Sequence, residues 1–142
     1  MKKILIINGP NLNLLGTREP SLYGTVSFEE HLAHLKAAYP EIAIDYYQTN
    51  HEGCIIDKLQ EAVHEYDGVV MNPGAYAHTS IAIADCIRAI PLPVVEVHLT
   101  DIQQREAYRH HSFTAAACRA CITGKGLQSY DLGLEELIRI QL

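Results

Sequence analysis

A doubly wound α/β fold built on a parallel sheet is what this sequence predicts, and three observations predict it. Short apolar or β-branched runs recur at residues 4–7, 42–47, 68–71, 93–97 and 120–123. Most stretches between them carry helical period, which makes βαβ units and therefore parallel strands. At 142 residues and 48% hydrophobic, the chain is long enough for one ordinary core and short for two. Residues 1–142 are therefore expected to form a single domain.

Each element has its own signal. The first helix begins at Ser27, with Glu30 three residues on completing a capping box, buries Leu32 and Leu35, and stops at Pro40. The second spans about residues 52–66 and shows Ile55, Ile56, Leu59, Ala62 and Val63 on one side. A third covers residues 77–90 and is halted by Pro91 and Pro93. A shorter helix is expected near residues 103–110, and a last one over 132–141. Five strands and about five helices in this length suggest a flavodoxin-like doubly wound five-stranded parallel sheet with helices on both faces. Sites in such folds lie at the carboxyl ends of the strands.

Composition excludes several classes of function. The formal charge of −6, with eleven Lys and Arg spread from Lys2 to Arg139, argues against nucleic acid as a partner, which would want a basic patch. A local arginine cluster still suits a small anion. No apolar run approaches the roughly 20 residues of a membrane span. Lys2 and Lys3 before residues 4–7 make too short a segment for a signal peptide, so a cytoplasmic location is expected. The four cysteines do not resemble a disulfide framework. Cys118 and Cys121 have C-x-x-C spacing without a second pair and read as buried structural thiols, so no metal is expected.

The strand-end loops carry the chemistry. After the first strand comes Asn8-Gly9-Pro10-Asn11-Leu12-Asn13-Leu14-Leu15-Gly16, followed by Arg18 and Tyr23; it matches neither a dinucleotide fingerprint nor a P-loop. Arg18 and Tyr23 lie five residues apart in a loop read as a lid, where a guanidinium can approach a phenol. A tyrosine base must fall from about 10 by roughly three units, which corresponds to about 4 kcal/mol, and a nearby arginine is a source of that stabilisation. The alternative for Tyr23 is an aromatic packed over the site. After the third strand, Asn72, His78 and adjoining backbone donors open a helix whose N-terminus favours an anion. The plainer reading is an Asn-Pro-Gly turn with Thr79 or Ser80 as a cap. At the fourth strand end, Glu96 and His98 are two apart and share a face, so a carboxylate can orient an imidazole for proton transfer; the plainer reading is a strand end whose two polar side chains point at water. Leu99 and Thr100 follow, then Arg105 and Arg109, four apart on a helix face, where one or both can meet a carboxylate; a solvated basic face is the usual explanation. His31 and His34 read as surface residues of the first helix. Three strand ends thus supply polar groups to one edge.

Taken together these residues resemble the type II 3-dehydroquinate dehydratases over nearly the whole chain. The motifs are I-x-N-G-P-N-L-N-L-L-G-x-R-E-P-x-x-Y-G at residues 6–24, N-H-E-G at 50–53, N-P-G-A-Y-x-H-T-S at 72–80, E-V-H-L-T at 96–100 and R-E-x-x-R-H-H-S at 105–112. The resemblance implies reversible dehydration of 3-dehydroquinate to 3-dehydroshikimate without metal or organic cofactor, in a homododecamer built as a tetramer of trimers. It implies that Tyr23 is the base that forms an enolate and that His98 is the acid that protonates the departing hydroxyl. Arg18 would lower the tyrosine's pKa, Glu96 would orient His98, and Asn11 would hold the hydrogen-bond network at the enolate oxygen. Asn72, His78, Leu99, Thr100 and Arg109 match the substrate contacts, and Asp85 matches a residue that reaches the site from a neighbouring subunit. Two positions depart from the family pattern: Ala84, where arginine is common, and Ser129, where a third glycine is usual. Two other readings stay open at this point, a nucleotide- or flavin-carrying module of the same fold and a paralogue that has lost turnover.

Overall fold

In the computed structural model, which describes residues 2–17, 21 and 25–141, the five apolar runs pair as one parallel sheet. Strands β1 (Lys2–Asn8), β2 (Ile42–Gln48), β3 (Gly68–Asn72), β4 (Val94–His98) and β5 (Ala120–Thr123) lie in the order β2-β1-β3-β4-β5. That is the flavodoxin-like order. Strand alternation feeds two cores. Ile4, Ile6, Val70 and Val97 pack on one face against α1 (Phe28–Ala38) and α4 (Gln128–Gln141). Leu5, Ile7, Val69 and Met71 pack on the other against α2 (Glu52–Ala62) and α3 (Ile81–Ala89).

The helices begin where their caps dictate. Ser27 Oγ accepts the Glu30 N–H at 3.2 Å, as expected for α1; Leu35 is buried and Leu32 half-buried beneath it. Helix α2 ends at Ala62 rather than near Tyr66, because the chain turns there and Tyr66 donates its hydroxyl to Asp45 on β2 at 2.7 Å. The expected third helix is divided. Residues Gly74–His78 form a 3-10 turn, and α3 starts only after Ser80, whose Oγ accepts the Ile83 N–H at 2.9 Å. Helix α4 starts four residues before the expected position 132, and Tyr130, Leu134 and Leu137 form one buried stripe at helical spacing. Each such fully buried apolar side chain contributes about 1.5–3 kcal/mol.

One expectation is overturned. Residues 103–110 do not form a helix but two 3-10 turns, Ile102–Gln104 and Ala107–Arg109, separated by extended Arg105. Asp101 caps the first through the Gln103 N–H at 3.0 Å, and the Gln103 side chain donates to the His110 carbonyl at 2.7 Å, folding the segment back on itself. Arg105 and Arg109 therefore share a wall of a cavity, not a helix face. No helix among the described residues is long and apolar enough to cross a membrane.

Candidate active site

The carboxyl ends of β1, β3 and β4 converge on a cavity of about 130 Å³. Its floor is set by close contact between two loops. The Gly9 N–H donates to the Asn72 carbonyl at 2.8 Å, and a Cβ on Gly9 would lie 2.4 Å from the Pro73 carbonyl oxygen, so only glycine permits the approach. Asn11 follows with φ 70°, a left-handed conformation that asparagine tolerates, and its N–H donates to Asn50 Oδ1 at 3.1 Å.

Asn8 and Asn72 are register partners on β1 and β3, and Tyr130 of α4 joins them from the same sheet face. The Tyr130 hydroxyl donates to Asn8 Oδ1 at 2.7 Å and accepts from Asn72 Nδ2 at 3.2 Å. Asn72 Oδ1 accepts the Gly74 N–H at 3.1 Å. The amide of Asn72 is thus held at both atoms where it lines the cavity. Burial pushes the Tyr130 phenol well above its ordinary range, so it stays protonated.

On β4, Glu96 is 0% and His98 6% exposed, and His98 Nε2 lies 2.7 Å from Glu96 Oε2. The same Oε2 accepts a hydrogen bond from Ser112 Oγ at 2.7 Å, while Thr114 Oγ1 donates to Oε1. Cys121, the register partner of Glu96 on β5, places its thiol 3.9 Å from Oε2. Burial and the Glu96 charge push the Cys121 thiol up to about 12, and Cys118 is raised by the same causes, so both remain thiols. Glu96, His98 and Cys121 present metal-ligating atoms within 4.8 Å of one another, but the hydrogen bonds to Glu96 already occupy that carboxylate. The His98 carbonyl accepts from Gly124 N–H at 3.2 Å and from Ser129 Oγ at 3.1 Å. The serine that departs from the family pattern therefore ties α4 to the end of β4. With Nε2 engaged, Nδ1 is the His98 nitrogen left for a ligand.

His78 stacks beside His98 with ring centres 6.1 Å apart. Its Nδ1 lies 2.8 Å from the His111 carbonyl, which only accepts, so the neutral ring carries its proton there and turns Nε2 into an acceptor. Burial lowers the His78 pKa and keeps the ring neutral near pH 7. Two arginines complete the wall. Arg109 Nε donates to Glu106 Oε2 at 2.8 Å, and Arg105 Nη1 donates to Thr100 Oγ1 at 3.3 Å. Their positive charge gives the cavity an affinity for anions.

Of the residues singled out from sequence, Asn11, Asn72, His78, His98, Leu99, Thr100 and Arg109 all line this one cavity, and Glu96 stands behind His98. Asp85 does not line it. That side chain is 72% exposed on α3, 3.8 Å from Arg88, next to a buried Ala84. Arg18 and Tyr23 lie outside the described residues. Sequence reasoning did not single out Ser112, Thr114, Asn8 or Tyr130, and weighed Arg105 only beside Arg109. Arg105 and Ser112 sit in the same motif as Arg109, which was a usable signal; nothing in the spacing of Asn8, Thr114 or Tyr130 marks them.

The fold and cavity define a flavodoxin-like α/β protein with an oriented imidazole facing an arginine-lined, anion-accepting site. Residues 2–138 match the dehydroquinase class II family, and the chain belongs to that family. A 3-dehydroquinate dehydratase from an Exiguobacterium species is 53% identical over 137 residues, covering 96% of this chain and 94% of that protein. A catabolic 3-dehydroquinase 2 from Neosartorya fischeri is 45% identical, covering 98% and 94%. Among solved structures, the type II dehydroquinase from Butyrivibrio crossotus superimposes with a TM-score of 0.93 at 42% identity, covering 96% of this chain and 97% of that one. Family membership sets aside the reading of the chain as a flavin or nucleotide carrier.

Proposed function

We propose that the chain catalyses the reversible dehydration of 3-dehydroquinate to 3-dehydroshikimate, the step common to the shikimate pathway and quinate breakdown, without metal or organic cofactor. Tyr23, as tyrosinate, removes the proton next to the ketone and forms an enolate; the electron pair then expels the hydroxyl, which leaves as water with a proton from His98. Arg18 stabilises the tyrosinate, Glu96 orients His98, and Asn11 steadies the enolate oxygen. Asn72, His78, Leu99, Thr100 and Arg109 bind the substrate, and Asp85 reaches it from a neighbouring subunit of a cytoplasmic homododecamer. The observation that supports this best is His98 on the wall of an arginine-lined cavity with the buried Glu96 2.7 Å behind it.

The product is a conjugated enone, so ultraviolet absorbance rises when the purified protein meets 3-dehydroquinate. No rise, in an assay validated with an active dehydratase, rejects the reading and leaves a paralogue without turnover. Tyr23→Phe and His98→Ala each lose about 10²–10⁴-fold in turnover while staying folded. Near-normal activity in either variant removes that residue from its role.

A further inference from the structure

Resting on the reading of His98 as the acid, we propose that Ser112 and Thr114 are positioning residues of the dehydration: their hydroxyls hold Glu96 as a carboxylate in one orientation, which keeps a proton on His98 Nε2 and leaves Nδ1 to serve the substrate.

A carboxylate at 0% exposure is costly unless hydrogen bonds replace its water. Glu96 finds them on the segment that follows the arginine turns. Ser112 Oγ accepts the Ala115 N–H at 3.0 Å, which engages one of its lone pairs and leaves its single hydrogen to go to Glu96 Oε2 at 2.7 Å. Thr114, fully buried, has two acceptors within reach, Glu96 Oε1 and Ser112 Oγ at 3.2 Å, and the shorter contact is to the carboxylate. Each hydroxyl has one hydrogen, and both hydrogens are spent on Glu96. Two donated hydroxyl hydrogens suit a carboxylate that only accepts better than a carboxylic acid that must itself donate.

The ionised form in turn selects the histidine tautomer. An acceptor-only carboxylate 2.7 Å from Nε2 requires hydrogen on that nitrogen. When an imidazolium His98 gives its Nδ1 proton to the departing hydroxyl, the ring that remains is the tautomer Glu96 already favours. The other ionisable groups around the carboxylate are the Cys121 thiol on β5, the Cys118 thiol before it and, at longer range, His78. Both thiols are raised by burial and by Glu96, so neither supplies a competing charge at neutral pH.

The test uses Ser112→Ala, Thr114→Val and Thr114→Ser in the full chain. Ser112→Ala and Thr114→Val are expected to lower kcat about 10- to 100-fold with little change in KM, since a charge-assisted hydrogen bond is lost from the group behind the acid. Thr114→Ser keeps the hydroxyl and should keep the rate. Unchanged kcat in Ser112→Ala and Thr114→Val, or a loss in Thr114→Ser equal to that in Thr114→Val, overturns the proposal. Nitrogen-15 spectra of labelled histidine read the tautomer without turnover. They should show hydrogen on His98 Nε2 in the unsubstituted protein and a mixture in folded variants. An Nδ1–H tautomer in the unsubstituted protein overturns the proposal even where a variant fails to fold. Absence of dehydration by the unsubstituted protein counts against the proposed reaction instead, and leaves the spectroscopic result to decide the clamp.

Discussion

His78 links the cavity to the protein's response to pH. Its pKa in the folded protein lies below the ordinary 6.5, chiefly because it is buried, while in the unfolded chain it titrates near that ordinary value. The unfolded state therefore takes up the proton first as pH falls. The stability tied to a neutral His78 is fully present above about pH 6.5 and is lost as pH drops through the folded value. Between about pH 7.5 and about pH 5, denaturant unfolding should show a steeper loss of stability for the unsubstituted protein than for His78→Gln. Equal slopes would mean that His78 is not the linked group. His78 was visible in the sequence because it stands in a strand-end motif. That it would be held neutral by burial and by the His111 carbonyl was not, since His111 is 33 positions away.

At the scale of elements, the joint between β1, β3 and α4 passes through one hydroxyl. Tyr130→Phe removes it and leaves Asn8 Oδ1 without its donor and Asn72 Nδ2 without its acceptor, both in buried surroundings. The expected cost is about 1–3 kcal/mol by denaturant unfolding, with a raised KM because the Asn72 amide is no longer held. Stability and KM equal to those of the unsubstituted protein would show that the network carries no strain or orientation. The central strands β1, β3 and β4 were legible as near-continuous apolar runs, because parallel strands buried on both faces need apolar residues throughout, while the edge strands β2 and β5 are only partly buried. The helix expected near residues 103–110 is replaced by two 3-10 turns, so the helix face it would have given Arg105 and Arg109 does not exist. Side-chain bonds from Asp101 and Gln103 outcompete the helix there.

At the scale of the molecule, the exposed Asp85 bears on assembly. Its side chain is exposed and does not line the cavity of its own chain. In the proposed homododecamer, light scattering should give twelve times the 15.8 kDa of one chain. Asp85→Ala should raise KM or lower turnover without changing stability of the single chain. A monomer that remains fully active would reject both the assembly and the role of Asp85.

By itself the sequence determined the strand order's raw material, the cap at Ser27, a choice of Thr79 or Ser80 for another, and a family resemblance dense enough to name seven residues of one cavity. These are local properties: apolar period, capping side chains and loop motifs act over a few residues. Only the tertiary structure decided what surrounds them. Ser112 and Thr114 reach Glu96 from 16 and 18 positions away, and Tyr130 reaches Asn8 from 122. Such contacts follow from which strands pair and which helix covers them, and a hydroxyl carries no mark in the sequence of the buried charge it will meet.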